Sequence, residues 1–243
     1  MHGERESTGE NVTNWFFNAL SETARSELEP HIQLVTLRKG EMLYTESDPI
    51  QWVYLPNSGL IGVIITMESG KTAYTSVVGR NGLLSTCVIL DVSAAFDQAV
   101  VEVPGDAMRI PASRFVSAYR RNEELRVMVN RYHAMTCAEA QQSAACNALH
   151  QIDQRICRWL LEARDRTGLD ALPITQESLG QILGVRRASV SAAQSKLVTM
   201  GLISVQRGMI EILDVEGLQG RSCECYRVLK ERTARIFPGM RMP

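Results

Sequence analysis

The sequence predicts an α+β protein in three parts: an N-terminal β-roll of the jelly-roll type, a long helix, and a C-terminal winged helix-turn-helix. Three observations carry this. Short β-type runs alternate with turn glycines between Ile32 and Ile110, and from Ser113 no glycine occurs until Gly168. Beyond Thr175 two short helical patterns meet at Gly184 and are followed by two more β-type runs. The expected division is 1–112 for an N-terminal helix and the sensor-type roll, 113–150 for the long helix, and 151–243 for the winged domain. With 243 residues and 45% hydrophobic content, each part can hold a core.

Taken in order, a helix is expected from Asn14 to Leu28, with Trp15, Phe16 and Leu20 on its apolar side. The runs WVYL, LIGVIITM, TAYTSVV, AVVEV and AMRI follow, punctuated by Gly40, Gly59, Gly70, Gly79, Gly82 and Gly105. Segments so short and evenly spaced suit a small antiparallel sandwich or barrel. The stretch VSAYRRNEELRVMVNRYHAMTCAEAQQSAACNALH is rich in helix formers. Along it Leu125, Met128, Tyr132, Met135, Cys146 and Leu149 fall at heptad-like spacing, interrupted by Glu139 and Gln142. Such a stripe either packs on the β domain or pairs with a second copy; we read it as doing both, which makes these six the dimerisation residues. A further helix is expected from Gln151 to Arg166, with Ile152, Ile156, Trp159 and Leu160 inward, ended by the linker GLDALP.

Thr175 is suited to N-cap a helix through Leu183, whose Leu179, Ile182 and Leu183 form an apolar face. Gly184 can take the positive φ of a tight interhelical turn, and Gly180 lets a second helix cross closely. That helix, from about Arg187 to Met200, buries Val190, Ala193 and Leu197 and turns Arg187, Ala188, Ser191, Ala192 and Ser195 outward. The order Gly180, Gly184, Val190 is the spacing of a helix-turn-helix, and GLISVQRGMIEIL reads as the hairpin of a wing. A slim face with one long cation at its start is what the major groove, about 12 Å wide, admits. Arg187 is placed to reach a base edge and Arg186, at the turn, a phosphate. Thr175 and Gln176 at the first helix start, Ser189, and Arg207 in the wing complete the expected DNA-contacting set.

Composition narrows the classes. No apolar run of about 18 residues exists to span a bilayer, and the start MHGERESTGE is charged where a signal peptide would be apolar, so a soluble cytoplasmic protein without a membrane partner is expected. The six cysteines (87, 137, 146, 157, 223 and 225) form no CxxC pairs, so free thiols are expected rather than a disulfide framework, a metal site or another cofactor. Net charge is −1, yet residues 1–149 hold 12 Lys+Arg against 17 Asp+Glu and residues 150–243 hold 14 against 10, giving −5 and +4. An acidic front and basic back suit a sensing domain followed by a nucleic-acid domain.

With roll, long helix, ITQESLGQILGVRRASV and GLISVQRGMIEIL in place, the chain resembles the Crp/Fnr family of bacterial transcription regulators over nearly its whole length. The ending SCECY also looks like one branch of that family. The resemblance implies a homodimer joined along the long helix, binding near-palindromic double-stranded DNA to regulate transcription, with RNA polymerase as a further partner. Some members respond to cyclic nucleotide, an iron–sulfur cluster or haem.

Three departures qualify it. Cyclic-nucleotide binders of the family hold the ribose with a Gly-Glu pair and the phosphate with an Arg about ten residues on; here the loop GRNGLLSTCVIL offers Ser85 and Thr86, Asp97 and Gln98 stand near the Arg position, and no Lys or Arg occurs from Asn81 to Met108. Those four are the effector-pocket residues to test, and a cyclic phosphate would meet Asp97 instead of a cation. An N-terminal cysteine cluster for iron is missing, because no cysteine precedes Cys87, and His31, His133 and His150 show no haem pattern. The family's Glu and second Arg of the recognition helix are replaced by Ala188 and Ala192, while Arg187 matches its first base-reading Arg, so a different operator is expected.

Two points stay open at this level. The roll either takes an uncharged ligand against Val63, Ile65, Val77 and Val88 or is a scaffold, and Cys223 with Cys225 is either a metal or redox pair or tail packing, which we take as packing. A rival class is a ligand-responsive module whose helical tail binds protein and not DNA. An enzyme is not expected: Ser85, Asp97 and His31 make a triad on paper, but no nucleophile-elbow glycine pattern frames the serine.

Overall fold

The structure is a computed structural model and describes residues 14–238. The charged start MHGERESTGE therefore lies outside the described residues, and no helix among those described is long and apolar enough to cross a membrane. The expected N-terminal helix is two: α1, Trp15–Asn18, and α2, Glu22–Ser26. Asn14 and Ser21 each accept a hydrogen bond from the backbone N–H three residues ahead, and each such cap starts its own helix.

Seven strands form the roll: β1 (Gln33–Leu37), β2 (Met42–Tyr44), β3 (Trp52–Pro56), β4 (Leu60–Thr66), β5 (Thr72–Val78), β6 (Gln98–Val103) and β7 (Gly105–Pro111). They pair antiparallel in two sheets, β1-β7-β3 and β2-β6-β4-β5, with Leu37, Tyr54, Ile61, Val63, Ala99 and Ala107 in the core between them. β1 and β2 escaped the sequence reading because both are edge strands and largely exposed, so neither carries an apolar alternation.

The long helix is also divided, into α3 (Ala112–Arg121) and α4 (Glu123–Leu149). Asn122 leaves helical geometry at φ −103° and ψ 116°, and its side chain accepts from Leu125 N at 2.9 Å, capping α4 ahead of Glu123 and Glu124. The predicted dimer stripe needs correction. Leu125, Met128, Tyr132 and Met135 are buried within the same chain, in a core with Phe16, Leu28, Phe115 and Ile110, and Cys146 is buried against Cys223. Only Leu149 is exposed, at 79%. The face that α4 leaves open is Val127, Asn130, Ala134, Cys137, Gln141, Ala144 and Ala148, which alternate by three and four residues, the spacing of a coiled-coil seam.

α5 (Ile152–Thr167) follows, then β8 (Ala171–Leu172), α6 (Gln176–Leu183), α7 (Arg187–Thr199), β9 (Ile203–Gln206) and β10 (Met209–Ile212). The stretch expected as a bare linker thus supplies a strand, and the wing is a three-stranded sheet ordered β8-β10-β9. Ile156, Leu160, Leu179, Val190, Leu197 and Ile210 form its core, and Leu60, Val103 and Val77 of the roll pack against it. Two helices without a sequence prediction close the described residues, α8 (Val215–Arg221) and α9 (Cys225–Ile236). α9 runs back along α4: Cys225 meets Gln142 at one end, and Phe237 packs edge-on against Trp15, ring centres 5.0 Å apart, at the other. Asp165 of α5 also holds α9, accepting from Tyr226 Oη at 2.8 Å and Lys230 Nζ at 3.1 Å.

Candidate nucleic-acid interface

α6 and α7 owe their crossing to two glycines. Gly184 caps α6 at φ +64°, a conformation that a residue with a Cβ adopts at a cost, and a Cβ on Gly180 would stand 3.1 Å from Val185 O. Thr175 caps the start of α6, its Oγ1 accepting from Ser178 N at 3.0 Å. On α7 the inward side is Val190, Ala193, Gln194 and Leu197. The Gln194 carboxamide is 2% exposed, and neither its nitrogen nor its oxygen has a hydrogen-bond partner among the described residues.

The outward side of α7 carries Arg187, Ala188, Ser189, Ala192 and Ser195, all exposed, with Ser191 half-buried and Arg186 exposed at the cap. Ser195 turns its hydroxyl back onto Ser191 O at 2.9 Å, which narrows the face further. Thr175, Gln176, Arg187 and Arg207 come together around a cleft of about 330 Å³ between the start of α6, the start of α7 and the wing turn. Arg186, Arg187 and Arg207 make no side-chain hydrogen bond or ion pair among the described residues. Most other arginines of the domain are engaged: Arg158 and Arg166 with Glu162, Arg164 with Asp170, Arg221 with Asp153, Arg227 with Glu231. Three cations left unpaired at an open, slim edge are suited to phosphates and base edges. Glu177, which also lines the cleft, was not singled out from the sequence; its carboxylate favours the helix dipole and disfavours phosphate nearby.

The effector candidates separate. Ser85 sits at φ +69°, buried, its hydroxyl without a hydrogen-bond partner among the described residues, and Thr86 opens the short helical turn Thr86–Leu90. Asp97 lies beside Tyr44 and Cys87; burial holds its carboxyl above the ordinary range, and the Tyr44 hydroxyl offsets part of this. Gln98 is spent across the sheet, donating to Thr66 Oγ1 at 3.0 Å. Arg80 and Arg109 flank the cation-free stretch but are committed elsewhere, Arg80 to Asp165 O and Arg109 to Gln33 and the face of Trp52. Val63, Ile65, Val77 and Val88 do not line one pocket. Val63 lies between the sheets, Val77 packs on the winged domain, Val88 joins the core beneath α3 and α4, and Ile65 is half-buried on β4.

One grouping was only half read from the sequence, which paired Cys223 with Cys225 but did not bring Cys146 and His150 to them. Cys146 and His150 at the end of α4 meet Cys223, just before α9, and Cys225, its first residue, and their ligand atoms all lie within 4.8 Å of one another.

Comparison with known proteins matches the family model described as a cyclic nucleotide-binding domain to residues 34–122, and that of a Crp-like helix-turn-helix domain to residues 154–221. The transcriptional activator protein anr of Pseudomonas aeruginosa is 25% identical over 191 residues, 73% of this chain and 75% of that protein. The CRP-like cAMP-activated global transcriptional regulator of Mycobacterium tuberculosis is 23% identical over 215 residues, 85% and 95% of the two chains. Among solved structures, FixK2 from Bradyrhizobium japonicum superposes with a TM-score of 0.67 at 17% identity, covering 79% of this chain and 98% of its own.

Proposed function

The chain belongs to the Crp/Fnr family of transcription regulators, the two domain models standing in one polypeptide, and on that premise we propose that it is a homodimer that binds a near-palindromic DNA operator without cyclic nucleotide or an iron–sulfur cluster. The observation that carries the DNA reading is that Arg187 and Arg207 line the cleft at the start of α7, with Arg186 exposed at the cap of that helix, and that none of the three is paired among the described residues. In this reading Arg187 enters the major groove with the Ala188, Ser191, Ala192 and Ser195 face behind it. Arg186, Arg207, Thr175, Gln176 and Ser189 take the backbone, fixing register while Arg187 reads sequence. RNA polymerase is the further partner, and the cytoplasm the compartment.

The dimer seam is the exposed stripe of α4 from Val127 to Ala148, whose small residues let two helices approach closely. Independence from cyclic nucleotide is supported by the roll itself. No cation stands between Asn81 and Met108, Asp97 is a carboxylate in the place of one, and the flanking arginines are engaged.

Selection of bound sequences from random duplexes by the purified full-length protein, with no effector added, tests this. A palindromic enriched motif is the expected result. Enrichment only after cyclic AMP is added would overturn the ligand-independent reading, and no enrichment under either condition would overturn the DNA reading.

A further inference from the structure

We propose that Cys146, His150, Cys223 and Cys225 bind one zinc ion that pins the start of α9 to the end of α4. Two of the separations match those around one ion, and all four ligand atoms lie within 4.8 Å of one another. Cys146 Sγ and Cys223 Sγ are 3.6 Å apart, and Cys225 Sγ and His150 Nδ1 are 3.5 Å apart. A tetrahedron with Zn–S of about 2.3 Å and Zn–N of about 2.0 Å has edges of about 3.5 to 3.8 Å. A Cys3His set is complete without water, which is the closed form of a structural zinc site.

The surroundings are those of a metal site as well. His150 turns its other nitrogen, Nε2, to the Glu224 carboxylate at 3.1 Å, so Nδ1 is the atom left for the ion and its ring is fixed. Gln142 Nε2 donates to Cys225 Sγ at 3.0 Å, a contact that suits a thiolate. The three cysteines are buried in a cluster of their own, apart from the apolar cores. Binding forms three S–Zn bonds and one N–Zn bond and releases the thiol protons to solvent, with no change in oxidation state.

The position gives the ion a mechanical role. His150 is the extended residue that ends α4, and α5 begins at Ile152, so the site sits at the joint between the long helix and the winged domain. From there α9 spans both α4 and α5. Zinc at this point fixes α9 across the joint.

The test uses the full-length protein purified under reducing conditions without chelator, with metal content by mass spectrometry. About one zinc per protomer is expected, falling to near zero in Cys223→Ser and Cys225→Ser and unchanged in Cys137→Ser, whose thiol lies on the exposed face of α4. In case the cluster variants do not fold, the wild-type protein is stripped with chelator and reductant and reloaded with cobalt(II). The expected result is the absorption of tetrahedral cobalt thiolate and a raised unfolding temperature. A reduced wild-type protein that carries no metal and gives no cobalt spectrum overturns the proposal. Iron with acid-labile sulfide at the site also overturns it, as does a Cys146–Cys223 disulfide in protein isolated under thiol-trapping conditions.

Discussion

Arg187 and Ala192 share the exposed face of α7, and what separates them is reach: the guanidinium can fork onto a guanine, the methyl can only leave room. Arg187→Ala should therefore cost about 1–3 kcal/mol in operator binding and relax specificity at the position it reads. Arg207→Ala should instead weaken binding evenly across sequences and reduce the salt slope by about 1. Fluorescence anisotropy on matched and mismatched duplexes over a salt series separates the two; an even loss in the Arg187 variant would remove it from the reading head. Behind that face Gln194 occupies a core position with both amide atoms unpartnered among the described residues. An unsatisfied buried carboxamide costs about 1–3 kcal/mol, so Gln194→Leu should raise the denaturation midpoint without loss of DNA binding. A lower midpoint would mean that the amide has a partner in the working protein. Asp97 obeys a third rule. A carboxyl whose pKa is raised by burial destabilises the fold once it is ionised, so Asp97→Asn should raise the unfolding temperature at neutral pH. The gain should fade as pH falls through the folded and then the ordinary value, 3.8, where both forms are neutral. A gain that persists at acid pH would point to packing and not to charge.

At the scale of elements, α4 separates what a sequence can say from what it cannot. The heptad-like stripe Leu125, Met128, Tyr132, Met135 was legible as buried, but apolar periodicity reports that a face is covered and is silent on what covers it. The roll and the N-terminal helices cover it, and the opposite face, built from alanines, a valine, an asparagine, a glutamine and a cysteine, has too little hydrophobicity to announce a seam. The helix-turn-helix was legible residue by residue because backbone demands specify it: a positive φ at Gly184, a close approach at Gly180, a cap at Thr175. The break at Asn122 went unread, because the glycine-free run suggested one continuous helix, although Asn-Glu-Glu is itself a helix start. The cluster at Cys146 was not legible, because its two halves lie more than 70 residues apart and meet only once α9 folds back on α4. If the exposed stripe is the seam, Ala134→Glu places like charges against one another across the two-fold axis and should shift the protein from dimer to monomer in sedimentation velocity. Mild oxidation should join wild-type chains through Cys137 and leave Cys137→Ser unjoined. A dimer unaffected by the Ala134 substitution would put the interface elsewhere.

Taken as a whole, the molecule is knit at one place where roll, long helix and winged domain meet. Arg166 of α5 pairs with Glu139 of α4 at 3.1 Å, and Arg166 O accepts from Arg80 N of the roll at 3.1 Å. Burial pushes the Glu139 carboxyl up while the Arg166 charge pulls it down, so neither partner is easily lost alone. Gly79 is where the roll comes close to the backbone of α5 at this junction. A Cβ there would stand 2.7 Å from Arg166 Cβ and 2.8 Å from Arg166 O, backbone that cannot swing aside, and Gly79 makes its turn without a positive φ. Gly79→Ala therefore acts as a wedge between roll and winged domain and not as a strain on its own backbone. Overpacking of this kind costs about 1–3 kcal/mol, and because the wedge bears on α5, which carries α7 in its core, it should change operator affinity as well as the unfolding temperature. Gly220 of α8, with nothing within 4 Å of its would-be Cβ, is the control: alanine there should hold or raise stability and leave DNA binding alone. If Gly79→Ala lowers the unfolding temperature while operator affinity stays at the wild-type value, the roll and the reading head are mechanically independent, and the junction serves stability alone.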